Sequence, residues 1–154
     1  MKDRINRNTI LKIGVLIIVN LLITNCAGKL TKAKRIASPA GLKSAVIKTS
    51  YFKIQSFYRF SKKGDPLTIY IEGDGQAWLN RYQPSFNPTP RNPLALRLAA
   101  LDKGKNIIYL ARPCQYVDIY KEKLCSTPYW TQKRFAKEVI IAIEEAITIM
   151  SSRN

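Results

Sequence analysis

The sequence predicts an α/β fold: a sheet of about three to four strands with two crossover helices, following an N-terminal signal segment. Three observations predict it. Two short β-branched apolar runs, at 67–72 and 106–111, have the density of strands covered on both faces. Each run is followed by a loop and then by a proline-opened stretch with apolar residues at helical spacing. The resulting order of strand, loop, helix, strand, loop, helix is the pattern of parallel strands joined by right-handed crossovers.

Composition sets the outer limits. A chain of 154 residues, 46% apolar and 23% charged, holds one modest domain with a packed core. Histidine is absent, which removes any Ser-His-Asp triad, Cys-His pair or His-ligated zinc from these residues. Against 10 Asp+Glu stand 26 Lys+Arg, a net charge of +16. The cations are scattered through every segment, so they read as a solvated surface rather than a nucleic-acid face. Aromatic and basic residues interleave in Tyr51-Phe52-Lys53 and Phe57-Tyr58-Arg59-Phe60, a spacing that marks a strand. No cofactor, metal or nucleic-acid partner is expected.

Residues 1–25 read as an export signal. Lys2, Arg4, Arg7 and Lys12 precede an apolar run, 13–23, interrupted only by Gly14 and Asn20. The run is shorter than the roughly 20 residues that span a bilayer; a short anchor or a buried helix is the competing reading. The ending Leu22-Ile23-Thr24-Asn25-Cys26-Ala27 resembles the bacterial lipobox. That resemblance implies lipidation of Cys26, although Asn25 stands where Gly, Ala or Ser is usual. With no aspartate after the cysteine, it implies a chain anchored in the cell envelope, at the outer membrane facing the periplasm rather than at the inner one. Its partner is then the membrane itself, held through the lipidated N-terminus by more than one acyl chain.

Residues 26–44 read as a basic tether, with Lys29, Lys32, Lys34 and Arg35 beside headgroups or in solvent and Ser38-Pro39-Ala40-Gly41 as a breaker. The domain then occupies 45–154. A short strand at 45–49 is followed by an alternating one at 51–60, with Phe52, Ile54, Tyr58 and Phe60 on one side. Turn residues at 61–66 return the chain antiparallel into the strand at 67–72. The stretch 73–92, rich in Gly, Asn and Pro, is a loop long enough to cover a site. Asn92 and Pro93 open a helix with Leu94, Leu98 and Leu101 on one face and Gly104 as its stop. After the strand at 106–111, Thr127 and Pro128 open a longer helix whose stripe is Phe135, Val139, Ile143, Ala146 and Met150.

The most informative run is Ile69-Tyr70-Ile71-Glu72-Gly73-Asp74-Gly75-Gln76-Ala77-Trp78. A Gly-Asp-Gly bend at the carboxyl end of a parallel strand frees backbone N–H groups to meet an anion, as in half of an oxyanion hole; it also suits an ordinary turn. Glu72 and Asp74 together are compatible with acid/base work on a sugar, a nonspecific signal.

This run, with Tyr109-Leu110-Ala111-Arg112-Pro113-Cys114-Gln115-Tyr116 and Cys125-Ser126-Thr127-Pro128-Tyr129-Trp130-Thr131, resembles a group of bacterial α/β-hydrolase-like lipoproteins. The resemblance covers about 45–150 and implies an esterase- or lipase-like sheet in which strand three leads to the oxyanion loop, helix A, strand four and helix B. By position Glu72-Gly73-Asp74-Gly75 stands where many members have His-Gly-Gly-Gly, so Gly73, Asp74 and Gly75 are the oxyanion-loop candidates. In that fold the nucleophile elbow, Gly-x-Ser-x-Gly, lies after helix B on strand five, which pairs beside strand three. No such motif occurs here. The resemblance therefore implies the N-terminal half of a hydrolase, with no catalytic residue in this chain and no activity alone. Its partner would be the C-terminal half, as a separate chain or a continuation, and its third strand would present unpaired backbone. The substrate stays open. The rival reading is a non-enzymatic envelope lipoprotein that uses its Pro-rich and Tyr-rich loops as a partner surface.

Cys114 and Cys125, eleven positions apart in an exported chain, favour a disulfide over two buried thiols; further soft ligands for a metal are missing nearby.

Overall fold

The computed structural model describes residues 24–154, with side chains from Gly28 onward. The apolar run 13–23 and the side chain of Cys26 lie outside the described residues, so the export and lipidation readings are not touched by it.

The elements are helix α1 (Thr24–Ala37), strands β1 (Lys43–Lys48), β2 (Lys53–Phe60) and β3 (Leu67–Ile71), helix α2 (Leu94–Leu101), strand β4 (Asn106–Leu110) and helix α3 (Lys137–Ser151). The strands form one mixed sheet in the order β1-β2-β4-β3. β1 pairs antiparallel with β2, β2 antiparallel with β4, and β3 parallel with β4, Ile71 facing Leu110. Helices cover both faces, which is the α/β layering that the sequence predicts. On one face Ile47, Ile54, Ile108 and Leu110 pack against Val139, Ala142, Ala146 and Met150 of α3. On the other, Phe57, Ile107 and Tyr109 meet Leu96 and Ala99 of α2 and Ala33 and Ala37 of α1.

The turn at 61–66 does bring β3 back antiparallel to β2 in direction, but the two strands are not neighbours. β4 lies between them, and the side chain of Asn106, at its first position, explains how. Asn106 Oδ1 accepts from the Ser61 and Lys62 amides (3.1 and 3.3 Å), and its Nδ2 donates to the Lys62 and Asp65 carbonyls (2.7 and 3.0 Å). Fully buried, Asn106 satisfies the backbone of an opened turn wide enough to admit a third strand.

The stretch 26–44 is not a tether. Most of it is α1, whose Ala33 and Ala37, one turn apart, are buried with Leu30 and Ile36 beside them. Apolar positions at helical spacing were present under a lysine-rich composition, and two of the lysines are used internally. Lys29 Nζ donates to the Thr89 carbonyl (2.9 Å) and Lys32 Nζ to the Arg91 carbonyl (2.8 Å). The breaker Ser38-Pro39-Ala40-Gly41 ends this helix, with Gly41 at φ 71° donating to Ser38 O.

The two helices use their faces differently. α2 buries Leu96 and Ala99 against the sheet, and the shared face of Leu94, Leu98 and Leu101 is exposed. The helix expected from Thr127 forms only a 3₁₀ turn, Thr127–Trp130; α3 starts at Lys137. Trp130 is buried and donates from Nε1 to the Ser85 carbonyl (3.0 Å), and the next residue, Thr131, leaves the helical path at φ −118° and ψ −104°. Phe135 consequently lies outside α3 and is exposed. Among the described residues no helix is long and apolar enough to cross a membrane.

Candidate functional site

β3 and β4 are parallel and in register, so the loops that follow them leave the sheet side by side. Carboxyl ends of parallel strands are where such folds build sites, and here they bring Gly73, Asp74 and Gly75 next to Arg112. Glu72 continues the ladder with its amide to the Leu110 carbonyl (2.9 Å). Its side chain is buried. Oε1 accepts from the Gly73 amide (3.1 Å) and the Ala95 amide (3.4 Å), and Oε2 from the Tyr109 hydroxyl (3.2 Å).

This makes Glu72 the cap of α2. Pro93 occupies the N-cap position and offers no side-chain acceptor, while Asn92, the expected cap, accepts instead from Arg97 Nη1 (3.1 Å). An acidic group at a helix N-terminus meets free amides and the positive end of the dipole together. Glu72 and Asp74 therefore do not form a working pair: one is tied into the core, the other faces solvent and two arginines. Gly104, the expected stop, sits past the helix end and donates to Asp102 Oδ1 (2.7 Å).

The Gly73-Asp74-Gly75 bend is held from two sides. The Gly73 carbonyl accepts from Gln115 Nε2 (3.0 Å), and the Gln76 amide donates to the Pro88 carbonyl (2.9 Å). Gly75 has φ 64°, and a Cβ there would lie 2.2 Å from the Pro88 carbonyl oxygen and 2.7 Å from Gln115 Nε2. Both its conformation and its closeness to backbone demand glycine. Among the described residues the amides of Asp74 and Gly75 meet no acceptor. Gly75 lines an open cleft of about 560 Å³ together with Ile71, Gly73, Leu94 and Leu98.

The charges around the bend are unequal. Asp74 lies 3.4 Å from Arg112 Nη1 and 3.5 Å from Arg134 Nε, two cations to one carboxylate. Arg112 also donates to the Arg134 carbonyl, and both guanidinium groups lie over the Phe135 ring, at 5.0 and 5.1 Å. Burial draws the Arg112 pKa down, with Asp74 opposing that and Arg134 adding to it; the group stays a cation in water at neutral pH. Behind Glu72, burial raises the phenols of Tyr109 and Tyr116, so both remain neutral; Tyr109 donates to Glu72, and the buried Tyr116 hydroxyl meets no partner among the described residues.

Cys114 and Cys125 form a disulfide, with Cα atoms 5.4 Å apart. Cys114 and Tyr116 both adopt left-handed backbone, φ 68° and 60°, a conformation costing non-glycine residues about 1–3 kcal/mol each. The bridge, the Tyr116 amide to Thr89 Oγ1 (2.8 Å) and the Gln115 side chain hold that turn against the Gly73 loop.

The cysteines pair as the sequence suggests, and Gly73, Asp74 and Gly75 lie in the loop after β3; no signal in the sequence announced the contacts of Arg134 and Gln115 or the capping role of Glu72. For Arg112 a signal was available, since it follows β4 at the position that Gly73 holds after β3.

Neither the protein-family models, nor the curated proteins, nor the solved structures contain a match to this chain.

Proposed function

We propose that this chain is an envelope lipoprotein carrying the oxyanion side of an α/β-hydrolase-type acyl-transfer site, inactive by itself. The observation that carries the reading is the glycine-dependent Gly73-Asp74-Gly75 bend at the carboxyl end of a parallel strand, with two backbone amides that meet no acceptor among the described residues. Such donors are useful where negative charge develops on a carbonyl oxygen. The surplus of cations around Asp74 favours the same charge. What these residues lack is the attacking group: with no histidine and no Gly-x-Ser-x-Gly, the bend has no nucleophile to serve.

β3 offers the place for one. Among the described residues it is the last strand of the sheet, and its backbone alternates, so that with Glu72 bonded to β4 the amides of Ile69 and Ile71 face the open side. Apolar side chains flank that edge on both faces, Leu94 and Leu98 on one and Phe135 and Ile140 on the other. A strand apolar on both faces, carrying the nucleophile at its carboxyl end, fits this groove. Lipid on Cys26 would fix the assembly to the membrane.

The test is labelling. Tagged full-length chain isolated from the envelope should incorporate labelled fatty acid, and Cys26→Ala should abolish this. In the same isolate a fluorophosphonate probe should leave this chain unlabelled and mark a polypeptide held with it, with turnover of short acyl esters lost in Gly75→Ala. Labelling of the chain itself, or isolates with no probe-reactive species, contradicts the hydrolase reading. The second reading, a binding lipoprotein without chemistry, is favoured by one observation: Trp78, Tyr82 and Phe86 stand exposed on the loop beside the bend.

A further inference from the structure

The loop after the bend is built, not slack. Residues 77–85 form a short hairpin in which Ser85 N donates to Ala77 O (2.9 Å), Leu79 N to Gln83 O (2.8 Å), and Trp78 bridges to Pro84. Asn80 Oδ1 fixes the tip by accepting from the Tyr82 and Gln83 amides, both at 3.0 Å. At the base Ala77, Ser85 and Thr89 are buried, and Trp130 is bonded to the Ser85 carbonyl.

On this braced support the outward side chains are apolar. Trp78 and Leu79 are about half exposed, and Tyr82 and Phe86 are 83% and 77% exposed. Arg81 lies 5.8 Å from the Tyr82 ring centroid. From Gly75 to Leu101 the sequence has three arginines and no acidic residue. Rigid amphipathic rings with arginine between them are the composition of a membrane interface, where the ring body is apolar and its edge is wet.

The fold places this tip where the chain would approach a bilayer. β1 starts opposite Tyr58, at the end of β2 that lies beside the beginning of β4. The C-terminal end of α1 is therefore at the amino ends of β3 and β4, and its N-terminal end is at their carboxyl ends, with the hairpin. Lys29 and Lys32 lock this arrangement by donating to the Thr89 and Arg91 carbonyls at the hairpin's root. Cys26, the proposed lipidation position, stands in the first turn of α1 at that same end.

We infer that the hairpin 77–85, with Phe86, is a second membrane contact, seating Trp78, Leu79, Tyr82 and Phe86 among the headgroups of an anionic bilayer. The inference rests on the membrane attachment proposed above. It adds an orientation: the carboxyl ends of β3 and β4, and with them the Gly73-Asp74-Gly75 bend, face the lipid surface. A site in that position would draw its substrate from the membrane.

Two tryptophans make this testable, since Trp78 is exposed and Trp130 buried. Full-length chain is bound to vesicles of mixed zwitterionic and anionic phospholipid, with or without bromine on the acyl chains. Co-flotation is scored first and tryptophan emission second. The expected result is co-flotation, with emission shifted to the blue and quenched by brominated lipid, and loss of that quenching in Trp78→Phe. Replacing the anionic lipid by zwitterionic lipid should weaken the quenching while leaving flotation intact. Chain that floats while Trp78 stays open to aqueous iodide and untouched by brominated lipid overturns the inference and leaves the attachment standing. Such a result would turn the hairpin over to a protein partner. Chain that does not float overturns both.

Discussion

β4 and β3 are built from nearly the same material, Asn-Ile-Ile-Tyr-Leu and Leu-Thr-Ile-Tyr-Ile, and lie parallel in register. Their surroundings differ completely. Every residue of β4 is buried, between two strands and two helical layers; no residue of β3 is, and Ile71 is 46% exposed. β4 holds the sheet together, whereas β3 offers one unpaired edge between two apolar flanks. A strand's sequence records what will eventually cover it, and β3 has the composition of a strand that is covered on both sides.

The largest expected effect breaks the centre. Ile108→Ala should destabilise the full-length chain by about 2–5 kcal/mol in urea unfolding, because it empties a site without solvent access. The same truncation at Ile71 should cost less than about 1 kcal/mol, since half of that side chain already meets water. Equal losses would show that the two strands are equally enclosed.

Asn106→Ala comes next. It leaves the Lys62 amide and the Asp65 carbonyl without these partners, while the Ser61 amide keeps the Lys105 carbonyl and the Lys62 carbonyl keeps the Asp65 amide, and should cost about 2–3 kcal/mol. If the cost is negligible, the turn does not need Asn106 to stand open. Reduction of the Cys114–Cys125 bridge should lower stability by roughly 2–3 kcal/mol. Its effect should concentrate in the loops after β3 and β4, read as faster amide exchange at 112–116 and 73–76. Loss confined to distant segments would contradict the bracing role.

The sequence made much of this legible and concealed particular parts for physical reasons. The apolar runs of β3 and β4 announce strands because burial on two faces leaves no polar positions. The insertion of β4 between β2 and β3 is invisible locally, since it depends on one asparagine meeting a turn 41–45 positions away. α1 was hidden by lysines that spend their charge on loop carbonyls. The spacing of Leu94, Leu98 and Leu101 declares one apolar helical face, but spacing shows that a face wants cover without showing whether cover is present, and these three are exposed. At the candidate site, Gly73 and Gly75 declared a bend, while Arg112 and Arg134 entered from separate loops.

Edge and centre should also respond differently to charge. Ile71→Lys puts a cation on the open side of β3 and should change stability by no more than about 1 kcal/mol while suppressing self-association seen by light scattering. Unchanged association would show that the edge is not what sticks.

The smallest effect concerns the ties that hold β3. The Tyr70 hydroxyl donates to Asp102 Oδ2 (2.8 Å). Asp102 has its pKa lowered chiefly by the Gly104 amide, then by Tyr70, with Arg59 adding to both. A depressed carboxylate stabilises the fold above its unfolded pKa, near about 4, and this contribution fades as pH falls through the lower folded value. Wild type should therefore be slightly more stable than Asp102→Asn at neutral pH, and the gap should close on acidification. A gap constant down to pH values below that range would contradict the assignment.

The most direct measurement is amide hydrogen exchange on the full-length chain, read residue by residue across the two parallel strands. The open-edge account predicts that the amides of Ile107, Ile108 and Tyr109 exchange only through global unfolding. Those of Ile69 and Ile71 should exchange orders of magnitude faster through the native state. Protection of Ile69 and Ile71 equal to that of β4 would mean that the edge is already covered, and would contradict the account.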